Sequence, residues 1–148
     1  MIRKRTQARE YALQILYQLE MNPQPAEELL ALFWREHSHA NDEIREYTER
    51  LVRGTIEHLR EIDEVLGRYT ENWQIDRMAA IDRNIMRFAT YELLFLADIP
   101  PKVTINEAVN IAKKFSQEES GKFVNGVLDK INHTEKTRYS SSHDQPTA

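Results

Sequence analysis

Cysteine is absent from the 148 residues. Disulfides, thiolate nucleophiles and thiolate metal sites are therefore excluded together, which fits a reducing cytoplasm. Glycine and proline are scarce, 4 and 5 respectively, and they gather at a few points, as in a helical protein. No apolar run approaches the length of a membrane span, and no apolar signal core follows the charged N-terminus. Sustained period-two alternation is missing, so no strand is expected. The patterns HExxH, GxxxxGKS/T and GxSxG are missing too. No pair of carboxylates is marked as a general acid and base. His37 and His39 flank Ser38 beside Glu36, but a metal would need a further ligand. Nothing positive supports an enzyme, and neither cofactor nor metal is expected.

Hydrophobic residues make up 41% of the chain and charged residues 30%, the balance of a soluble globular protein. The length suggests one domain with a sizeable core. The expected division is a helical domain over residues 1–132 and a polar, unpatterned, disordered tail over 133–148. The net charge of −4 conceals a polarised layout. Residues 1–9 carry Arg3, Lys4, Arg5 and Arg9 and no acid. Residues 27–82 carry 14 acids against 7 arginines, and residues 102–130 carry five lysines and four acids. A basic start, an acidic middle and a lysine-bearing end can serve two partners of opposite sign.

Apolar spacing predicts about seven helices. The first covers about Thr6 to Glu20, with Ala8, Ala12, Ile15, Leu16 and Leu19 inward. Its cations lie at the end where the helix dipole disfavours them, which hints at a ligand; a solvated basic tail accounts for them equally well. After Asn22-Pro23-Gln24-Pro25, a short helix covers Ala26 to His37. From Glu43 to Tyr69 the helical spacing is long enough for two helices, broken near Ile62-Asp63. Asn41 or Asp42 can cap the first and Asp63 the second. Asn72 to Asp76 reads as a turn, and Asp76 or Asp82 can cap the apolar helix from Ile81 to Ala97. His58 lies on a charged face and reads as a solvated histidine.

Lys102 to Ile131, KVTINEAVNIAKKFSQEESGKFVNGVLDKI, holds the densest mixture of lysine, phenylalanine and polar residues. Pro100 and Pro101 stop the preceding helix. Thr104 and Glu107 have capping-box spacing. Ile105, Ala108, Val109 and Ala112 form one apolar stripe, and Val124, Val127, Leu128 and Ile131 form a second. Ser116 or Ser120 can cap the second helix. Gly126 suggests a place where another helix approaches. Phe115 and Phe123 flank the break.

Recognition of unpaired RNA needs cations for phosphates, planar side chains for bases and polar groups for base edges. Arg3, Lys4, Arg5, Lys113, Lys114 and Lys122 can supply the first. Tyr17, Phe115 and Phe123 can supply the second, and Ser116, Gln117, Glu119 and Ser120 the third. The alternative, core phenylalanines beside a solvated lysine face, stands level with it on these residues alone.

The chain also resembles the NusB family of bacterial transcription antitermination factors. The resemblance rests on Lys102-Val103, Ile105-Asn106-Glu107-Ala108, Ala112-Lys113, Phe115 and Lys122-Phe123-Val124-Asn125-Gly126-Val127-Leu128-Asp129. Upstream it includes Asp82-Arg83, Ile85, Arg87, Ala89, Tyr91-Glu92-Leu93, and in the first helix Arg9-Glu10, Ala12 and Leu16-Tyr17. It covers roughly residues 3–132 and implies an all-α, single-domain bundle of about seven helices. It further implies a non-enzymatic factor that pairs with NusE, a small-subunit ribosomal protein. Together they would recognise boxA RNA in ribosomal RNA leader transcripts and help RNA polymerase read through terminators. The RNA-binding residues it implies are Arg3, Lys4, Arg5, Arg9, Tyr17, Lys113, Phe115, Ser116, Glu119, Ser120, Lys122 and Phe123. For the protein partner it implies Tyr69, Asp76, Asp82 and Glu92, although a cap or a surface charge accounts for Asp76 and Asp82 as well. The alternative is a stand-alone RNA-binding module assisting ribosomal RNA modification or ribosome assembly. A related module precedes some ribosomal RNA cytosine methyltransferases, but this sequence has no glycine loop for their cofactor.

Overall fold

The computed structural model describes residues 3–70 and 78–143, with side chains described through Glu135. Among these residues there are seven helices and no strand. They are α1 (Lys4–Met21), α2 (Ala26–Glu36), α3 (Asp42–Glu57), α4 (Leu59–Tyr69), α5 (Ala80–Phe95), α6 (Pro101–Phe115) and α7 (Glu118–His143). They group into two compact units, Met1–Glu57 and His58–Ala148.

In the first unit α1 packs on α3, and α2 touches both. Ala8, Ala12, Ile15 and Leu16 are buried on α1, as their spacing predicts. Tyr11 meets Phe33 edge-on at 5.1 Å and Trp34 at 6.0 Å, a geometry that ring quadrupoles favour. The Thr48 hydroxyl reaches the carbonyls of Ile44, at 2.7 Å, and Ala8, at 3.4 Å. Arg53 forks onto both Glu27 oxygens at 2.7 and 2.9 Å and reaches Glu49 at 2.8 Å, joining α2 to α3. Asn41, rather than Asp42, caps α3, its Oδ1 accepting from the Ile44 amide at 2.9 Å.

In the second unit α6 packs against α5 and α7, and α4 against α5 and α7. Ile85, Met86, Phe88, Ala89 and Leu93 bury the broad apolar surface of α5, and Val124, Val127, Leu128 and Ile131 bury the stripe of α7. Three local expectations need correction. The long helical run breaks at His58, not at Ile62-Asp63. Asp63 therefore lies inside α4, where both its oxygens accept from Arg87 at 2.9 Å. Thr104 does not cap α6, because the helix already starts at Pro101. A proline in the first turn loses nothing there, since its missing N–H would be unsatisfied anyway. Thr104 is buried one turn in, donating to Glu92 Oε1 at 2.7 Å. Gly126 does not admit a neighbouring helix: a Cβ there would meet nothing within 4 Å.

Helix α7 continues to His143 where an irregular tail was expected after Asn132. Glu135 explains part of that continuation. It is only 1% exposed, and its Oε1 accepts from Arg68 Nη1 at 2.6 Å and from the Tyr69 hydroxyl at 2.9 Å.

Candidate nucleic-acid interface

The α6–α7 junction forms from local backbone chemistry. Ser116 leaves the helical region with φ −121° and ψ −122°, and its amide bonds back to the Ala112 carbonyl, ending α6. Glu118 and Glu119 occupy the first turn of α7, and Lys113 and Lys114 the last turn of α6. Each pair has the sign that its helix dipole favours. The result is a sharp reversal that concentrates both signs of charge on one short stretch.

Ser116 Oγ and Ser120 Oγ lie 3.0 Å apart, and Ser120 Oγ donates to Asp82 Oδ2, also at 3.0 Å. The three residues therefore form one chain of hydrogen bonds from the junction to the first turn of α5. Ser120 is 9% exposed and Asp82 8%. Ser120, expected at a base edge, is thus engaged within the turn, and Asp82, expected toward a protein partner, bonds to α7. Asp82 is not the cap of α5, since the capping position is Ala79.

Around that chain, Lys113, Glu119 and Lys122 are exposed, while Phe115, Ser116 and Phe123 are half-buried. The Lys114 ammonium lies 5.2 Å from the centroid of the Phe115 ring, within cation–π range. Phe123 is neither a core residue nor a fully open ring. The junction thus collects cations, two partly open rings and polar groups, which is what stacking and phosphate recognition require.

The basic arm lies in the first unit and is more engaged than its composition suggests. Arg3 is exposed, just ahead of α1. Lys4 pairs with Glu43 at 2.9 Å, and that hydrogen bond holds the Glu43 carboxyl below its ordinary value. The Arg5 guanidinium sits 4.6 Å from the centroid of the Tyr47 ring. Arg9 lies 5.5 Å from the same centroid and is only 2% exposed. Arg9, expected as an RNA ligand, faces the Tyr47 ring of α3 within the fold. Tyr17 is 39% exposed.

Sequence reasoning missed Tyr47, Glu46 and Arg50. With Lys4, Arg5 and Glu43 they line a concavity of about 590 Å³. Tyr47 fitted the apolar spacing of α3 and so read only as core. Its role as a platform for two arginines depends on helices far apart in sequence.

Of the partner residues, Tyr69 is half-buried and directs its hydroxyl to Glu135. That carboxylate also raises the pKa of Arg68. Asp76 lies outside the described residues. Glu92, expected on the partner side, is 0% exposed and accepts from Thr104. Glu135 was missed because it fell in the stretch read as tail.

Two histidines stack on neighbouring rings. His37 stacks on Phe33 with centroids 3.9 Å apart, and its Nδ1 lies 2.9 Å from the Phe33 carbonyl oxygen. His58 stacks on Phe95 at 4.1 Å while its Nδ1 lies 3.4 Å from Glu61 Oε1 at the surface. Among the described residues no cluster of three or more His, Cys, Asp or Glu could hold a metal. No described helix is long and apolar enough to cross a membrane.

Among the described residues the architecture is all-helical, with exposed cations at the first helix and at the last helical junction, an arrangement suited to nucleic-acid binding. The chain belongs to the NusB family, whose model matches residues 6–133. It is 47% identical over 137 residues to a transcription antitermination protein NusB of Thermodesulfovibrio yellowstonii, covering 86% of this chain and 91% of that protein. It is 46% identical over 131 residues to the protein of the same name from Anaeromyxobacter dehalogenans, covering 88% and 92%. Among solved structures, T. maritima NusB superposes with a TM-score of 0.82 at 40% identity, covering 93% of this chain and 99% of that one. A chain from a complex of antitermination factors NusB and NusE with double-stranded RNA gives 0.81 at 33% identity, covering 90% and 98%.

Proposed function

We propose that this chain is a non-enzymatic, cytoplasmic, RNA-binding antitermination factor. It pairs with NusE to recognise single-stranded boxA RNA in ribosomal RNA leader transcripts and helps RNA polymerase pass terminators. The observation that carries this reading is the α6–α7 junction, where exposed Lys113 and Lys122 accompany half-buried Phe115 and Phe123 around a hydrogen-bonded serine turn. The antitermination relatives and the RNA-bearing complex of NusB and NusE support the same reading.

In this reading Lys113, Lys122, Arg3, Lys4 and Arg5 meet phosphates. Phe115, Phe123 and Tyr17 offer ring faces for bases, and Ser116 and Glu119 contact base edges. Ser120 and Arg9 act from behind, by holding the junction and α1. Tyr69, together with Asp76, belongs to the partner side; Asp82 and Glu92 support it from within.

A titration of the whole chain with a boxA-like RNA oligonucleotide, with and without NusE, tests the proposal. Tighter binding to boxA-like RNA than to a scrambled strand, strengthened by NusE, is the expected result. Equal affinity for both strands, unaltered by NusE, would contradict it.

A further inference from the structure

Gly121 lies in the first turn of α7 and is buried although it has no side chain. What covers it is the last turn of α6. A Cβ built at Gly121 would stand 2.9 Å from Lys113 Cε, 3.0 Å from Lys113 Cγ and 3.4 Å from Val109 Cγ1. A Cβ would crowd both carbons, so the Lys113 stem keeps this seat without shifting because the residue is glycine. The aliphatic stem of Lys113 therefore lies across α7 itself. A lysine on an open helix end samples many rotamers, and ordering it costs entropy when it binds. Here packing has already removed part of that freedom, and long cationic stems readily lie on apolar surface while the charged head stays in water. Lys113 is exposed as a residue despite this contact, as a packed stem with a solvated head would be. The residue after Gly121 is Lys122, also exposed.

We infer that Gly121 is a positioning residue for RNA binding: its missing side chain seats the Lys113 stem on α7 and presents that ammonium, together with Lys122, to consecutive phosphates of a single RNA strand. The inference rests on the α6–α7 junction being the RNA surface. Glycine at this place is not needed by α7 as a helix, since alanine has the higher helix propensity. Its use is the close approach.

The test is a titration of full-length variants with a fluorescein-labelled single-stranded boxA-like RNA in the presence of NusE, at several salt concentrations, beside thermal melts. The variants are Gly121→Ala, Lys113→Ala, Lys122→Ala, Gly121→Ala with Lys113→Ala, and Gly121→Ala with Lys122→Ala. Removing one phosphate contact from a single strand flattens the slope of log K against log salt by about 0.7, or about 2.6-fold in affinity between 50 and 200 mM salt. Lys113→Ala is expected to show that change. Gly121→Ala is expected to weaken binding in the same direction. Combined with Lys113→Ala it should add nothing further, because the same cation has already been lost; combined with Lys122→Ala its effect should remain. The Gly121→Ala, Lys113→Ala double variant should melt no lower than Lys113→Ala, since alanine then has room. Wild-type binding by Gly121→Ala beside a weakened Lys113→Ala would overturn the positioning role and leave the RNA surface standing. So would a Gly121→Ala loss that adds in full to that of Lys113→Ala. Wild-type binding by both lysine variants would overturn the RNA surface itself, and the inference with it.

Discussion

Ser120 Oγ donates to Asp82 Oδ2 across 3.0 Å, tying the first turn of α7 to the first turn of α5. The other carboxylate oxygen, Oδ1, is buried and accepts no hydrogen bond among the described residues. One hydroxyl thus supports a nearly enclosed carboxylate. Asp82→Ala should lower stability by about 1–3 kcal/mol in urea unfolding, because a buried donor loses its partner. Asp82→Lys should lower the melting temperature and weaken NusE and RNA binding together. A folded Asp82→Lys variant that loses only NusE would return Asp82 to the partner surface.

Glu135 anchors the extended part of α7 to the end of α4 through Arg68 and Tyr69. Arg68 is half in solvent, so the loss is less than for a fully buried pair. Glu135→Ala should cost about 1–3 kcal/mol, the range for orphaned hydrogen-bond partners. Hydrogen exchange should show faster opening at the α4 C-terminus. Unchanged exchange there would mean that the contact holds nothing.

Lys4 and Glu43 set a pH dependence of known sign. Because the folded carboxyl is held below its ordinary value of 4.5, the pair contributes stability above that pH. The contribution is lost as pH falls through the folded value. Lys4→Met should raise the Glu43 titration midpoint toward 4.5 in a carbon-detected NMR titration. The difference in stability between wild type and variant should vanish in acid. A midpoint that does not move would show that the contact is absent in solution.

The basic arm divides into surface and support. Replacing Arg3, Lys4 and Arg5 with alanine should flatten the salt slope of RNA binding by roughly 2, the sum of three single-strand phosphate contacts. Arg9→Ala should instead lower stability, because its buried guanidinium packs against Tyr47. An Arg9→Ala protein with wild-type melting and a flatter salt slope would reverse that division.

Much of the helical plan was legible because apolar periodicity is a local signal. The stripes on α1, α5, α6 and α7 are buried except at Leu19, Ile81 and Val109, which are half-buried. Boundaries were less legible. Thr104 and Glu107 have capping-box spacing, but proline can occupy a helix's first turn, and α6 begins three residues before Thr104. Within the site, the junction's cations and rings were readable, because they are close in sequence and flank an evident break. The contacts of Arg9, Ser120, Asp82 and Glu92 were not. Each depends on a partner in another helix: Tyr47 for Arg9, Thr104 for Glu92, and each other for Ser120 and Asp82. No composition or spacing signals such a pairing. Glu135 was hidden for a related reason, since its polar surroundings resemble a tail until Arg68 and Tyr69 are brought against it.

Phe123 tests most directly whether the junction is the RNA surface. The measurement is the affinity of Phe123→Ala and Phe123→Tyr for boxA-like RNA in the presence of NusE, with urea unfolding of each variant alongside. Phe123 is half-buried. Phe123→Ala should remain cooperatively folded and lose about 1–3 kcal/mol of RNA affinity, the measure of one base stacked on an aromatic ring. Phe123→Tyr should retain most of the affinity, since the ring face survives. Wild-type RNA affinity in Phe123→Ala, or a loss of about 3–5 kcal/mol in stability as for a core phenylalanine, would contradict the assignment.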